Sequence, residues 1–250
     1  METGNKRKEI TLTVNKLASE IRKFCKENAD EKIVKKYARY FVEGYTAYGI
    51  DGKLTESQRK LWFGKYKEDL GFEGFLKLGD LLVKDGKYEE VFFAIWFAGR
   101  FLKEFSPKTL DRFYKWIEIG VKNWAHSDVL SGEILSPFLI NNIVSLDAFA
   151  EWRKSDNKWH RRAVPVTMLK FLKNEPSIKT LLDFIDPLMM DEEKVVRQGL
   201  GWFLREAWKK YPVPAGKFLL KWKDKCGRLI TQYATEKMKP KEKERFKKKK

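Results

Sequence analysis

The sequence predicts an all-α fold, an α-solenoid of stacked helix pairs with a concave, basic surface. Three observations predict it. Apolar residues recur with helical period along most of the chain, and no segment is convincing as a strand. The breaks between periodic stretches are short and fall at glycines and prolines. The chain is also strongly basic, with a net charge of +17 at 250 residues and 43% hydrophobic content, so a real core carries an excess of cationic surface.

The periodic stretches place helices at about 6–28, 31–46, 55–69, 72–84, 87–104, 107–122, 132–144, 146–154, 157–173, 176–188, 191–210, 213–224 and 227–236. Ser106-Pro107 and Glu175-Pro176 put proline near a first turn, and Asp191 precedes an acidic first turn. Gly49, Gly71, Gly86 and Gly227 mark connections. From residue 72 onward the helices come in pairs of roughly 35–45 residues, the size of a HEAT-type unit. Stacking such pairs gives a curved solenoid; a compact helical bundle is the alternative. The expected organisation is one solenoid domain over 1–236 and a basic, disordered tail over 237–250. That tail carries nine Lys/Arg and two Glu, so the preceding 236 residues keep a net +10. The tail alone does not explain the charge.

A basic chain of this kind attracts polyanions, nucleic acid ahead of an acidic membrane or protein. Cys25 and Cys226 lie far apart with no Cys/His cluster nearby, which argues against a disulfide framework or zinc site and reads as packing in a reducing compartment. No apolar run reaches the ~20 residues of a membrane span, and METGNKRKEITL lacks the apolar core of a secretory signal. A soluble, cytoplasmic protein that needs no cofactor is expected. No GxGxxG, Walker loop, HExxH or GxSxG occurs, which leaves nucleotide- and zinc-dependent chemistry unsupported.

Three fragments carry the candidate chemistry. In the stretch from Asp191 to Tyr211, Val196, Leu200, Phe203, Leu204, Ala207 and Tyr211 fall in one arc of about 100°, a core stripe. Lys194, Gln198, Trp202, Arg205 and Lys209 share the opposite side. A tryptophan on a cationic face offers a π surface beside groups that take phosphates; cover by a neighbouring helix is the bland alternative. The stretch from Trp159 to Lys173 is apolar nearly all round and contains Arg161 and Arg162 at opposite azimuths. Each arginine must reach an acid or the surface, and Asp183 or Asp191 would suit Arg161. Trp124 and Asp128, four residues apart, share a face on a continuous helix; alone, Asp128 reads more readily as an N-cap. His126 and His160 have no partner at metal-ligand spacing.

Taken together and in this order, the fragments resemble the DNA alkylation repair family of HEAT-like glycosylases, the AlkD-like proteins. The family's Trp-x-x-x-Asp motif is matched by Trp124 and Asp128, and its Trp-x-Arg-Arg-x-Ala-like motif by Trp159, Arg161, Arg162 and, loosely, Ala163. Its Gly-Trp-x-Leu-Arg-Glu motif is matched by Gly201, Trp202, Leu204, Arg205 and Glu206. The similarity spans about 30–236. Where active members often carry an acidic or second aromatic residue after the first tryptophan, this chain has Ala125-His126-Ser127.

The resemblance implies a monomeric HEAT-like solenoid that excises cationic N3- and N7-alkylated purines from double-stranded DNA without a deep base pocket. Catalysis would fall to Asp128, Trp124 and Trp202, and DNA binding to Arg161, Arg162, Arg205, Lys209 and Lys194. The two indoles and the aspartate are expected to converge in one cationic trough. Two other readings compete with excision: a non-catalytic homologue that binds distorted or branched DNA, and a HEAT-type protein scaffold.

Overall fold

The computed structural model describes residues 2–42, 44–174 and 177–247; the helix start expected at Glu175-Pro176 lies outside them. Among the described residues every regular element is helical. The chain divides into two compact units, Met1–Ile134 and Leu135–Lys250.

The first unit opens with α1 (Glu2–Glu27), whose Val14, Leu17, Ala18, Ile21 and Cys25 form a buried stripe at helical spacing. Helix α2 (Glu31–Ala38) is capped by Asp30, which accepts from Lys32 N. It stops eight residues earlier than the sequence predicts. Residues 39–42 and 44–50 lie outside the helix, with Gly49 at φ +80° pressed against Val34, where a side chain would meet backbone.

Helix α3 (Gly52–Val83) bends at Gly71, φ +53°, where the sequence predicts a break. Both halves pack on α4 (Tyr88–Ala98), Trp62 against Phe93 and Phe75 against Phe97, and α4 runs on as a 3-10 turn to Glu104. Helix α5 (Pro107–Gly120) starts at a Ser106/Thr109 capping box, and its Trp116 lies over Gly79 so closely that a methyl there would overlap the indole. The unit ends with α6 (Trp124–Leu130) and a π-helical turn begun at Ser131.

Two buried acids tie the irregular 44–50 segment to α4. Glu89 accepts from the backbone N–H groups of Tyr48, Gly49 and Ile50 at 2.9, 2.8 and 3.3 Å. Glu90 accepts from the Tyr48 hydroxyl and from Arg22 Nε at 2.8 and 3.1 Å. A buried carboxylate needs such partners, and these supply them.

The second unit comprises α7 (Ser136–Ile140), α8 (Lys158–Phe171), α9 (Ile178–Ile185), α10 (Lys194–Lys210), α11 (Pro212–Trp222), α12 (Arg228–Ala234) and α13 (Pro240–Glu244). The 146–154 stretch forms two short 3-10 turns in place of the α-helix expected there. Helix α10 is the hub, packed on α8, α11 and α12. Its expected core stripe is fully buried from Val196 to Ala207, while Tyr211 serves as the C-cap. Over 237–247, expected as a disordered tail, the structure has α13 and buries Met238 and Phe246. No helix among the described residues is long and apolar enough to cross a membrane.

Candidate functional site

The first motif is built on α6. Asn123, 2% exposed, caps the helix by accepting from His126 N at 3.0 Å. The expectation that Asp128 caps a helix starting near 132 is corrected: the helix begins eight residues earlier, and Asp128 sits inside it. It shares a helix face with Trp124, four residues before it. Asp128 is half-buried and lies three residues before the start of the π turn, a wide turn that often occurs where helices carry function.

The Ala125-His126-Ser127 departure has a packing reason. All three residues are buried, and His126 faces α4. His126 lies against the Tyr88 and Phe92 rings and donates from Nε2 to Tyr88 O at 3.2 Å. With Nε2 protonated, Nδ1 faces the Asn123 amide as an acceptor. Burial pushes the imidazole down to about 4, the Tyr88 carbonyl only partly offsetting it. The histidine is therefore a neutral strut and not an acid or base for chemistry at neutral pH.

Trp124 is 37% exposed and held in place. Its Nε1 donates to Tyr40 O at 2.9 Å. Phe41 stacks on its indole at 5.3 Å with the planes 12° apart, and Tyr45 stacks on Phe41 at 4.5 Å and 5°. Three nearly parallel rings thus fix one tryptophan that keeps open surface for a ligand. Tyr40, Phe41 and Tyr45 are not singled out by the sequence. The density of aromatics over 37–48 is visible there, but nothing local links it to a residue some 80 positions away.

The second and third motifs lie on α8 and α10. Arg162 is 5% exposed, donates to Val195 O at 2.6 Å, and lays its stem on Gly199. Arg161 bonds Asp191 at 2.6 Å and the carbonyls of Ser155 and Asp156 at 2.6 and 3.0 Å. Of the two acids expected for it, Asp191 is the partner, while Asp183 bonds Lys179. Both arginines, expected on DNA, spend these donors holding α8 to the start of α10.

On the polar strip of α10, Trp202 is half-buried, Gln198 donates to the Tyr233 hydroxyl at 2.9 Å, and Lys194 and Lys209 are exposed. Arg205 is engaged by two acids, Glu206 at 3.0 Å and Glu236 at 2.8 Å. Burial of Glu206 opposes its charge, but bonds from Lys209 and Arg205 outweigh it and hold the carboxyl below its usual range. Gly201, the first residue of this motif, has a packing role. A methyl there would overlap Tyr233 Cβ and lie 2.9 Å from Ile230 O on α12. Among the described residues no cluster of three or more His, Cys, Asp and Glu is arranged to hold a metal.

Helix pairs of this kind define an all-helical repeat protein of the AlkD type. The model of the family described as DNA alkylation repair enzyme matches residues 21–238, so the chain belongs to that family, with a role in alkylation repair and hence in binding DNA. Among solved structures it is similar to a predicted DNA alkylation repair enzyme from Enterococcus faecalis, at 18% identity and a TM-score of 0.72, covering 84% of this chain and 96% of that one. It is also similar to AlkD2 from Streptococcus mutans, at 24% identity and a TM-score of 0.57, covering 73% and 89%. At these identities the structural likeness speaks for the fold alone. No curated protein matches the sequence.

Proposed function

We propose that the protein is a DNA glycosylase that hydrolyses the N-glycosidic bond of cationic N3- or N7-alkylated purines in duplex DNA. The observation that carries this reading is α6 itself. It sets an unburied indole, stacked on Phe41 and through it on Tyr45, four residues and so one helix face from the half-buried Asp128 carboxylate. Alkylation gives the purine a positive charge and makes it a good leaving group, so the base needs no protonation. As the bond breaks, positive charge grows on the deoxyribose. An ionised Asp128 stabilises that charge and orients the attacking water, and the face of Trp124 favours the developing cation.

Lys194 and Lys209, both exposed, are the proposed phosphate contacts, with Arg205 joining them as its bonds to Glu206 and Glu236 exchange for phosphate oxygens. Arg161 and Arg162 enter this scheme as residues that position α10, through the bonds to Asp191 and Val195 O.

The test is release of free base from a duplex containing N7-methylguanine. Asp128→Asn is expected to lower the rate by about 100- to 1,000-fold, the usual loss on removing one electrostatic stabiliser, while duplex binding persists. Binding without release above the spontaneous rate by the unaltered protein would favour a non-catalytic DNA-binding role.

A further inference from the structure

A separate feature of the second unit is not used by that chemistry. Between α12 and the C-terminal segment lies a cavity of about 660 Å³, within the roughly 300–1,000 Å³ range of ligand sites. Arg228, Thr231 and Gln232 line it from α12, and Lys243, Phe246 and Lys247 line it from the segment. The segment is fixed by its own contacts. Met238 and Phe246 are buried, Phe246 meets α11 at Gly216, and Lys223 Nζ donates to Arg245 O at 3.2 Å. Glu242 accepts from Lys239 N at 2.9 Å and so caps the turn that carries Lys243.

Three cations and no carboxylate stand on these walls. The acids close by in sequence are engaged elsewhere: Glu236 with Arg205 and Lys237, Glu244 with Lys247, and Glu242 with the Lys239 backbone. Among the described residues Arg228 and Lys243 therefore form no ion pair. The Thr231 and Thr235 hydroxyls donate to Arg228 O and Thr231 O at 2.9 and 2.8 Å, so their protons are spent within the helix. A guanidinium and an ammonium that reach one space from two elements, with no acid between them, select an anion.

We infer that this groove seats a backbone phosphate of bound DNA, held by Arg228 and Lys243. The walls favour phosphate over a base, because Phe246 is 5% exposed and offers no open ring face. The place of the groove favours DNA over a free anion. Thr235, also on its wall, is followed by Glu236, whose carboxylate bonds Arg205 on the polar strip of α10 at 2.8 Å. A strand that meets Lys209 and Arg205 thus finds the next cations on α12 and α13. The family model matches residues 21–238, so Lys243 and Lys247 add a contact beyond the part shared with the family. The inference rests on the chain binding DNA and is independent of excision.

The experiment measures duplex affinity against salt for the full chain and for Arg228→Gln combined with Lys243→Gln, neither side chain being buried. The double variant should bind about 10-fold more weakly, the loss of one hydrogen bond to a charged group, and the slope of log affinity against log salt should fall by about 0.9, one phosphate's worth. Arg228→Lys combined with Lys243→Arg, which keeps both charges, should retain the slope. Duplexes carrying one neutral methylphosphonate at successive linkages then locate the phosphate: neutralising one linkage should weaken the unaltered protein and leave the double variant indifferent. An unchanged slope, or a double variant that responds to every neutral linkage as the unaltered protein does, overturns the inference. So does a groove that takes inorganic phosphate in calorimetry, loses it in the double variant, and leaves the DNA slope unmoved. Release of N7-methylguanine at saturating protein reports the glycosylase separately: release with an unchanged slope sinks the groove alone, and a reduced slope without release sinks the glycosylase alone.

Discussion

At the level of single residues, the first motif shows what a sequence carries and what it hides. The four-residue spacing of Trp124 and Asp128 is enough to place both on one helix face, and α6 has them there. Spacing does not settle the cap, because Asp128 and Asn123 are both capable cap residues and only the true helix start decides between them. Capping by Asn123 leaves His126 pointing inward, and a testable consequence follows. The imidazole sits at about 4 in the folded state, against an ordinary value near 6.5, because burial disfavours its charge. A histidine whose folded value is lowered stabilises the fold fully above its unfolded value, and that contribution is lost as the pH falls toward the folded value. Stability should therefore decline between roughly pH 6.5 and 4, by up to about 3 kcal/mol from this group. Urea unfolding at stepped pH should show the decline, and His126→Gln should flatten it. An unchanged slope in that variant would place the pH sensitivity elsewhere.

At the level of elements, long periodic segments are legible in the sequence and irregular ones are not. The buried stripes of α1 and α10 follow from spacing alone. Residues 39–46 read as a continuing helix because their aromatics keep a helix-like density. What overrides that pattern is tertiary: Glu89, some 40 positions away, takes three consecutive backbone N–H groups just beyond them, at Tyr48, Gly49 and Ile50. No local signal in the segment announces such a partner. The glycine of the third motif stands out in the sequence only as part of a resemblance, and the structure supplies its physical reason. Gly201 lets α12 lie directly on α10, so Gly201→Ala must push the helices apart. The expected cost is about 1–3 kcal/mol, measured as a lower denaturation midpoint, despite the better helix propensity of alanine. Asn123→Ala should cost about 1 kcal/mol through removal of the cap, and should also loosen the start of the helix that carries Trp124. If Gly201→Ala proves neutral or stabilising, the close approach of the two helices is not what fixes the residue.

At the level of the whole molecule, charge is the most legible property and its distribution the least. A net +17 points to nucleic acid, but sequence does not show which cations are already neutralised. Arg161 and Arg205 are bonded to acids, whereas Arg59 and Arg100, which no motif marks, are not among the described ion pairs. The basic C-terminal segment combines both lessons. Its composition reads as a solvated run, yet Met238 and Phe246 are 5% exposed and Lys239 begins a capped turn of helix. Two apolar anchors are too few to interrupt a charge pattern by eye, but burying each contributes about 1.5–3 kcal/mol. The segment therefore has two separable roles. Phe246→Ser should lower the melting temperature while leaving the salt dependence of duplex binding nearly unchanged. Replacing Lys248, Lys249 and Lys250 with serine should do the reverse, reducing the slope of log affinity against log salt by about 0.9 for each phosphate that is no longer neutralised. Calorimetry and binding isotherms at about 50–200 mM salt, run on the same two variants, separate the effects. If Phe246→Ser leaves the melting temperature unmoved, the segment is held by charge alone; if the triple substitution leaves the slope intact, the cations that meet DNA lie on the helices.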